Sequence, residues 1–191
     1  MRLLWEVYRM MLLDEKLKGS TKSLFLETLS NYPEGIGLEV VGTSRVFRGK
    51  MDNKPTIFVD VKVLESLPDC KVRVLDNEGN PIQNSDHSYK TTQVEAQDYV
   101  IGIDFKLKPI ENNSPEVVYK VTPKTNLFSL LNFSLIEKGK ISPTNDRGFG
   151  VTEEEIKEAL EGTKFIGKSV KVTDTDYKPY FKLVVGGKYN E

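Results

Sequence analysis

Between Ile36 and Leu75 the chain alternates apolar and polar residues in two long runs joined by a short polar stretch. In the first, Leu38, Val40 and Val46 share one parity and Thr43, Arg45 and Phe47 the other. In the second, Ile57, Val59, Val61 and Val63 alternate with Phe58, Asp60, Lys62 and Leu64. Successive side chains of a strand point to opposite faces, so a period of two predicts strands with one core face and one second face. Gly49 to Pro55 reads as the hairpin loop between them, and Lys71 to Leu75 as a third short strand. The second face then collects Arg45, Phe47, Phe58, Lys62, Lys71 and Arg73.

Elsewhere the pattern is mixed. Residues 2–17 place Leu4, Tyr8, Met11 and Leu12 at helical spacing, which predicts an amphipathic N-terminal helix. Ser23 to Asn31 predicts a second short helix, ended by the turn Tyr32-Pro33-Glu34-Gly35. Residues 83–97 show no period and read as an excursion or a flexible loop, whereas Tyr99 to Leu107 is a clean strand and Val117 to Val121 another. Thr122-Pro123 has the form of a helix start, with Leu127, Leu130, Leu131, Leu135 and Ile136 as the apolar side. The loop Ile141 to Val151 leads to Thr152-Glu153-Glu154-Glu155, a capping box before a short helix, and two final runs, 165–173 and 179–185, form a terminal hairpin. The division expected is a helical segment over 1–35 and one β-rich domain over 36–191, with its core in 36–122 and helices plus hairpin in 123–191.

Net charge is −1, from 27 basic and 28 acidic residues, which argues against a polybasic protein that binds by bulk charge. The charge is uneven: 76–116 carries three basic against eight acidic residues, 36–75 seven against five, and 117–152 five against two. A polyanion would meet the last two segments and avoid the first. One cysteine, Cys70, excludes an internal disulfide and a multi-cysteine metal site. The apolar start is broken by Arg2, Glu6 and Arg9, so neither a signal peptide nor a membrane span is expected, and the reading is a cytoplasmic protein with no membrane partner.

Catalytic chemistry finds little support. His87 is the single histidine, 17 residues from Cys70 in the excursion, and reads as an exposed loop residue. Asp76, Glu78 and Asn80 alternate like calcium ligands, but the glycine and glutamate of a calcium loop do not follow at the required positions, so they read as a turn. The acids at 153–155 are explained by their place at a helix N-terminus. No phosphate-binding glycine loop is present. The expectation is a non-enzyme without cofactor or metal.

What remains is a surface. Cations beside rings suit single-stranded nucleic acid, with charge for phosphates and rings for stacked bases. Arg45, Lys50, Lys62, Lys71, Arg73 and Arg147 would supply the charge and Phe47, Phe58 and Phe149 the rings, with Lys54 also at the hairpin tip. The same pattern fits a second core, with Phe47 and Phe58 packed beneath another element and Asp60 opposing any anion. The order of elements over 36–122, carried by the long strand Gly37 to Arg48, the hairpin Lys50 to Pro55 and the strand Pro55 to Leu64, resembles the OB-fold. The run Val117 to Leu131 is similar to small proteins of phages and archaeal mobile elements. The resemblance implies an α+β, β-rich chain, an OB-like antiparallel Greek-key barrel with an N-terminal helix and a C-terminal helical and hairpin elaboration, that binds single-stranded DNA or RNA across strands 2–3 and their loops. It departs from bacterial single-stranded DNA-binding proteins in ending Lys188-Tyr189-Asn190-Glu191, without an acidic tail. The alternative is a structural or interaction module of a homo-oligomeric or virion-like assembly, joined through the apolar N-terminal helix.

Overall fold

The computed structural model describes Leu4, residues 16–142, 147–173, Asp176 and residues 178–190. Apart from Leu4, the helix expected over 2–17 lies outside them as far as residue 15. In chain order the described elements begin with helix α1 (Lys22–Leu29), strands β1 (Ile36–Thr43), β2 (Phe47–Arg48), β3 (Pro55–Val63), β4 (Cys70–Arg73) and β5 (Thr91–Val94). They continue with β6 (Val100–Lys106), β7 (Lys108–Ile110), β8 (Val118–Val121), helix α2 (Phe128–Glu137) and β9 (Phe149–Thr152). Helix α3 (Glu153–Leu160) and strands β10 (Lys164–Val172) and β11 (Tyr180–Lys188) complete the order. The fold is α+β and rich in strand.

The main sheet is antiparallel. β3 pairs with β6 along one edge, from Thr56↔Lys106 to Lys62↔Val100. Its other edge takes β1 at Val59 to Val63 and β2 at Pro55 and Thr56, so β1 and β2 are one strand column interrupted at 44–46. β10 then pairs with β1, and β11 with β10. A bulge between Val40 and Gly42 shifts the register, which puts Thr43 opposite Val59. The simple alternation that grouped Thr43 with Arg45 and Phe47 on the second face fails at that extra residue.

The core face is the one the period-two pattern singles out: Leu38, Val40, Ile57, Val59, Val61, Ile101, Ile103, Phe105 and Phe165 are all fully buried. Phe25, Leu26 and Leu29 of α1, Leu130 and Leu131 of α2, and Ile156 and Leu160 of α3 cover it. Each helix reflects its local chemistry. Thr21 caps α1 by accepting the amide of Leu24, and Thr152 and Glu155 exchange both bonds of the capping box at α3. Thr122-Pro123, in contrast, does not open α2. The Thr122 amide donates to Thr125 Oγ1, and 122–128 form successive turns, because hydroxyl side chains offer the backbone an alternative to helix.

The sheet is not a closed barrel. β6 and β11 are not paired with each other, and α1 packs against both. Lys22 spans that seam: its ammonium donates to the Asp104 carbonyl at 2.9 Å and lies over the Phe105 ring, and burial lowers its pKa. A cavity of about 520 Å³ remains between the α1 start and β11, lined by Thr21, Lys22, Asp104, Tyr180 and Phe181 among others.

Two smaller sheets complete the fold. β7, β8 and β9 form one, so Phe149 and Gly150 lie in a strand where a loop was expected. β4 and β5 form the other, and Lys71 and Arg73 therefore do not extend the main sheet. The excursion over 83–97 is ordered: the Val74, Ile82 and Lys90 backbones bond to one another, and Gln83 bridges Tyr89. Its root is clamped by Glu95, whose carboxylate accepts the amides of Leu67 (2.7 Å) and Gln97 (3.0 Å) and the Ser66 hydroxyl (2.7 Å). These bonds, the Leu67 amide first, hold its pKa below the ordinary value of 4.5. A depressed carboxylate stabilises the fold fully above its unfolded pKa and loses that contribution as pH falls through the folded one. The amide resonances of Leu67 and Gln97 should therefore titrate together with one midpoint below 4.5, and Glu95→Gln should abolish it. Two unrelated midpoints would disprove the clamp.

Candidate functional site

The β1–β3 connection brings Arg45, Phe47 and Lys50 to one end of the main sheet. β2 pairs Phe47 with Thr56, and Phe58 follows two residues on, so both rings lie on the second face. They stack with centroids 5.3 Å apart and planes 14° from parallel, in the preferred range for aromatic pairs. Phe47 is 38% exposed and Phe58 half-buried, so neither belongs to the core. Phe58 is occupied, with Phe47 against it and the Lys16 ammonium 5.1 Å from its centroid. Phe47 is the ring that faces solvent.

The middle of the second face is charge-balanced. Lys16 pairs with Asp60 at 3.3 Å, reaching it through a lane kept open by Gly102, where a Cβ would lie 3.0 Å from Lys16 Cε. Lys62 stands between Glu39 of β1 and Val100 of β6, and Glu39 in turn faces Lys164. Lys106 Nζ binds Asp52 at 3.2 Å and donates to Thr56 Oγ1 at 3.1 Å. Gly49 makes room for this: a Cβ there would sit 2.7 Å from the Asp52 carboxylate and 2.9 Å from Lys106 Nζ. The Lys54 amide, then Lys106, pulls the Asp52 pKa down. The bonds from the Gly49 amide to the Lys54 carbonyl and from the Asn53 amide to the Gly49 carbonyl, both 2.9 Å, make the hairpin tip a folded turn.

Of the nine residues singled out in the sequence, Phe47, Phe58 and Lys62 lie in this sheet, and Arg45 and Lys50 in the connection at its end. The other four do not join them as expected. Lys71 lies in the β4–β5 sheet and pairs with Glu27 of α1 at 2.9 Å. Arg73 follows it and stacks over Tyr89 at 4.0 Å. Phe149 packs against Phe128 at 5.9 Å and against the core, so it is no free stacking ring; Arg147 is exposed beside it. The sequence reading missed Arg48, Lys106, Lys108 and Lys120. Arg48 follows Phe47 and donates to the Asn53 carbonyl, and Lys106 faces Thr56. Lys108 and Lys120 are direct cross-strand neighbours in the small sheet. Lys106 and Lys108 flank buried Leu107 at strand spacing, which the sequence pattern already showed.

Other chemistry stays silent. Cys70 opens β4 fully buried, and burial pushes its thiol up to about 11, far from a reactive thiolate. His87 is exposed in a turn at φ 68°. Asp76 accepts the amides of Glu78 and Asn80, as a turn residue does. Among the described residues, no three His, Cys, Asp or Glu converge to hold a metal, and no helix is long and apolar enough to cross a membrane. No family model, curated protein or solved structure matches this chain.

Proposed function

We propose that this chain binds single-stranded nucleic acid without catalysing a reaction, at the end of the main sheet built by the β1–β3 connection. The observation that carries the reading is the exposed Phe47 ring, stacked on Phe58, in a connection that also carries Arg45, Arg48, Lys50 and Lys54. A ring fixed in advance loses little freedom on stacking a base, and the cations beside it meet the phosphates. The OB-like reading has support in the five strand columns, in the meander β1–β3–β6 and in the return of β10 to the free edge of β1. In that fold the connection between the first two strands is a ligand loop, which is where Phe47 stands. The ion-paired middle of the sheet confines the site to this end.

The test is fluorescence anisotropy of the full chain with a labelled mixed-sequence single-stranded DNA of about 30 nucleotides, enough to span more than one OB-type site. Binding should tighten at low salt and weaken steeply as salt rises, because neutralised phosphates release counterions. No binding at low salt, to this DNA or to the matching RNA, would refute the reading.

A further inference from the structure

Building on the nucleic-acid reading of the β1–β3 connection, we propose that the exposed face of the β7–β8–β9 sheet is a second contact surface for the same single strand, with Lys108 and Lys120 on its phosphates. Lys108 and Lys120 stand directly opposite each other across β7 and β8, and Lys120 faces Gly150 on its other side. Opposed residues of an antiparallel pair share a face, with Cβ atoms about 5 Å apart, and like charges placed so repel. Both lysines are exposed, and neither has an ion pair among the described residues. Lys71, Lys106 and Lys188, in contrast, each meet a carboxylate. The residues flanking the pair across and along the strands, Lys106, Ile110, Val118, Thr122 and Gly150, include no acid. Gly150 is bare because Val118 fills the place of a Cβ, with Cγ1 2.9 Å away, so no side chain flanks Lys120 on that side. A like-charged pair left open in this way is satisfied by an anion from outside.

Continuity with the Phe47 ring selects the anion. Phe47, Thr56 and Lys106 occupy one row of the main sheet, so ring and lysine share its second face two strand spacings apart, roughly 10 Å. Lys108 follows Lys106 by two residues, or about 7 Å, on the same side of an extended chain whose other side buries Leu107. The small sheet is also tied to the connection that holds the ring. The Val46 amide donates to the carboxylate of Glu153, the residue after β9. Arg48 lies close enough to Tyr119 of β8 to oppose the rise in its pKa that burial, then Glu153, produces. Ring and lysines therefore lie along one surface. A ligand that offers a flat ring to Phe47 and repeated negative charge beyond it is a nucleic-acid strand, since every base has a π-face and every link a phosphate. Lysine suits the second part, as a point charge that meets phosphate without demanding one geometry.

The experiment is anisotropy of the full chain with the same labelled single-stranded DNA, titrated at several salt concentrations. Lys108→Gln with Lys120→Gln should weaken binding and reduce the slope of log affinity against log salt by about 1.4, at about 0.7 per phosphate contact on a single strand. Lys171→Gln with Lys178→Gln removes the same charge from exposed positions on the β10–β11 hairpin, beyond the start of β1, and should leave the slope unchanged. Without DNA, the Lys108–Lys120 variant should melt no lower than the wild type, because it relieves a like-charged pair. A wild-type slope in that variant, an equal loss in the hairpin variant, or a lower melting temperature would overturn the proposal. So would poly-glutamate that displaces the DNA at matched charge, which would assign the lysines to an acidic polypeptide. The two readings separate in the same titrations. If Phe47→Ala weakens binding and the Lys108–Lys120 variant does not, only the second surface is lost; a wild type that binds no strand refutes both.

Discussion

Phe165→Ala should lower the stability of the chain by about 3–5 kcal/mol, the cost of emptying a fully buried aromatic position. Phe165 has no exposed surface and lies opposite Leu38 in the β1–β10 pair, at the middle of the core face. The neighbouring backbone leaves little room to collapse. Gly167 already accommodates the Leu38 side chain, with Leu38 Cδ1 2.5 Å from where a Cβ would be, and β10 is held on both edges by β1 and β11. A loss of that size is a large share of the 5–15 kcal/mol typical of a domain. Phe47→Ala provides the contrast. Its ring is exposed and touches chiefly Phe58, so its removal should cost about 1 kcal/mol, the worth of an aromatic pair. Urea denaturation of the two variants decides between them. Equal midpoints would mean that Phe47 is a core residue, and the binding site would lose its ring.

That contrast was only half legible in the sequence. The core face of β3 and β6 could be read directly, because strand geometry fixes a period of two and Ile57, Val59, Val61, Ile101, Ile103 and Phe105 obey it. The capping box at α3 was equally plain, since its two bonds are local. Pairing partners were not legible. Lys71 and Arg73 alternate as well as any strand does, but their ladder is made with residues 91–94, and nothing local says so. The bulge after Val40 was invisible for the same reason: one extra residue changes parity without changing composition. Thr122 shows the limit of cap signals, since a hydroxyl that can cap a helix can also close a turn.

The candidate site was lost and regained in the same way. Its rings were found because Phe47 and Phe58 sit in one hairpin, where the short turn sets the register. Its cations were misjudged because pairing between distant segments decides which charges matter. Lys16 answers Asp60, Lys106 answers Asp52 and Lys71 answers Glu27, and no short window of sequence holds both members of any of these pairs. Once these are formed, the broad face carries little net charge. The cations left there without a carboxylate partner among the described residues, Arg45, Arg48 and Lys50, belong to the β1–β3 connection that holds Phe47.

From that geometry the binding effects of two substitutions should separate cleanly. Phe47→Ala should weaken single-stranded DNA binding by roughly tenfold or more, since stacking is worth about 1–3 kcal/mol per base. It removes no charge, so the slope of affinity against salt should stay unchanged. Lys50→Ala should do the reverse. It removes one cation from the hairpin tip, and should reduce the salt slope by about one while costing less at moderate salt. Phe47→Trp should restore affinity, because it offers a larger ring to the same base. Anisotropy titrations of the three variants at several salt concentrations measure all of this at once. If Phe47→Ala binds like the wild type, stacking at this ring is not how the chain holds a strand, and charge alone would have to account for any affinity that remains.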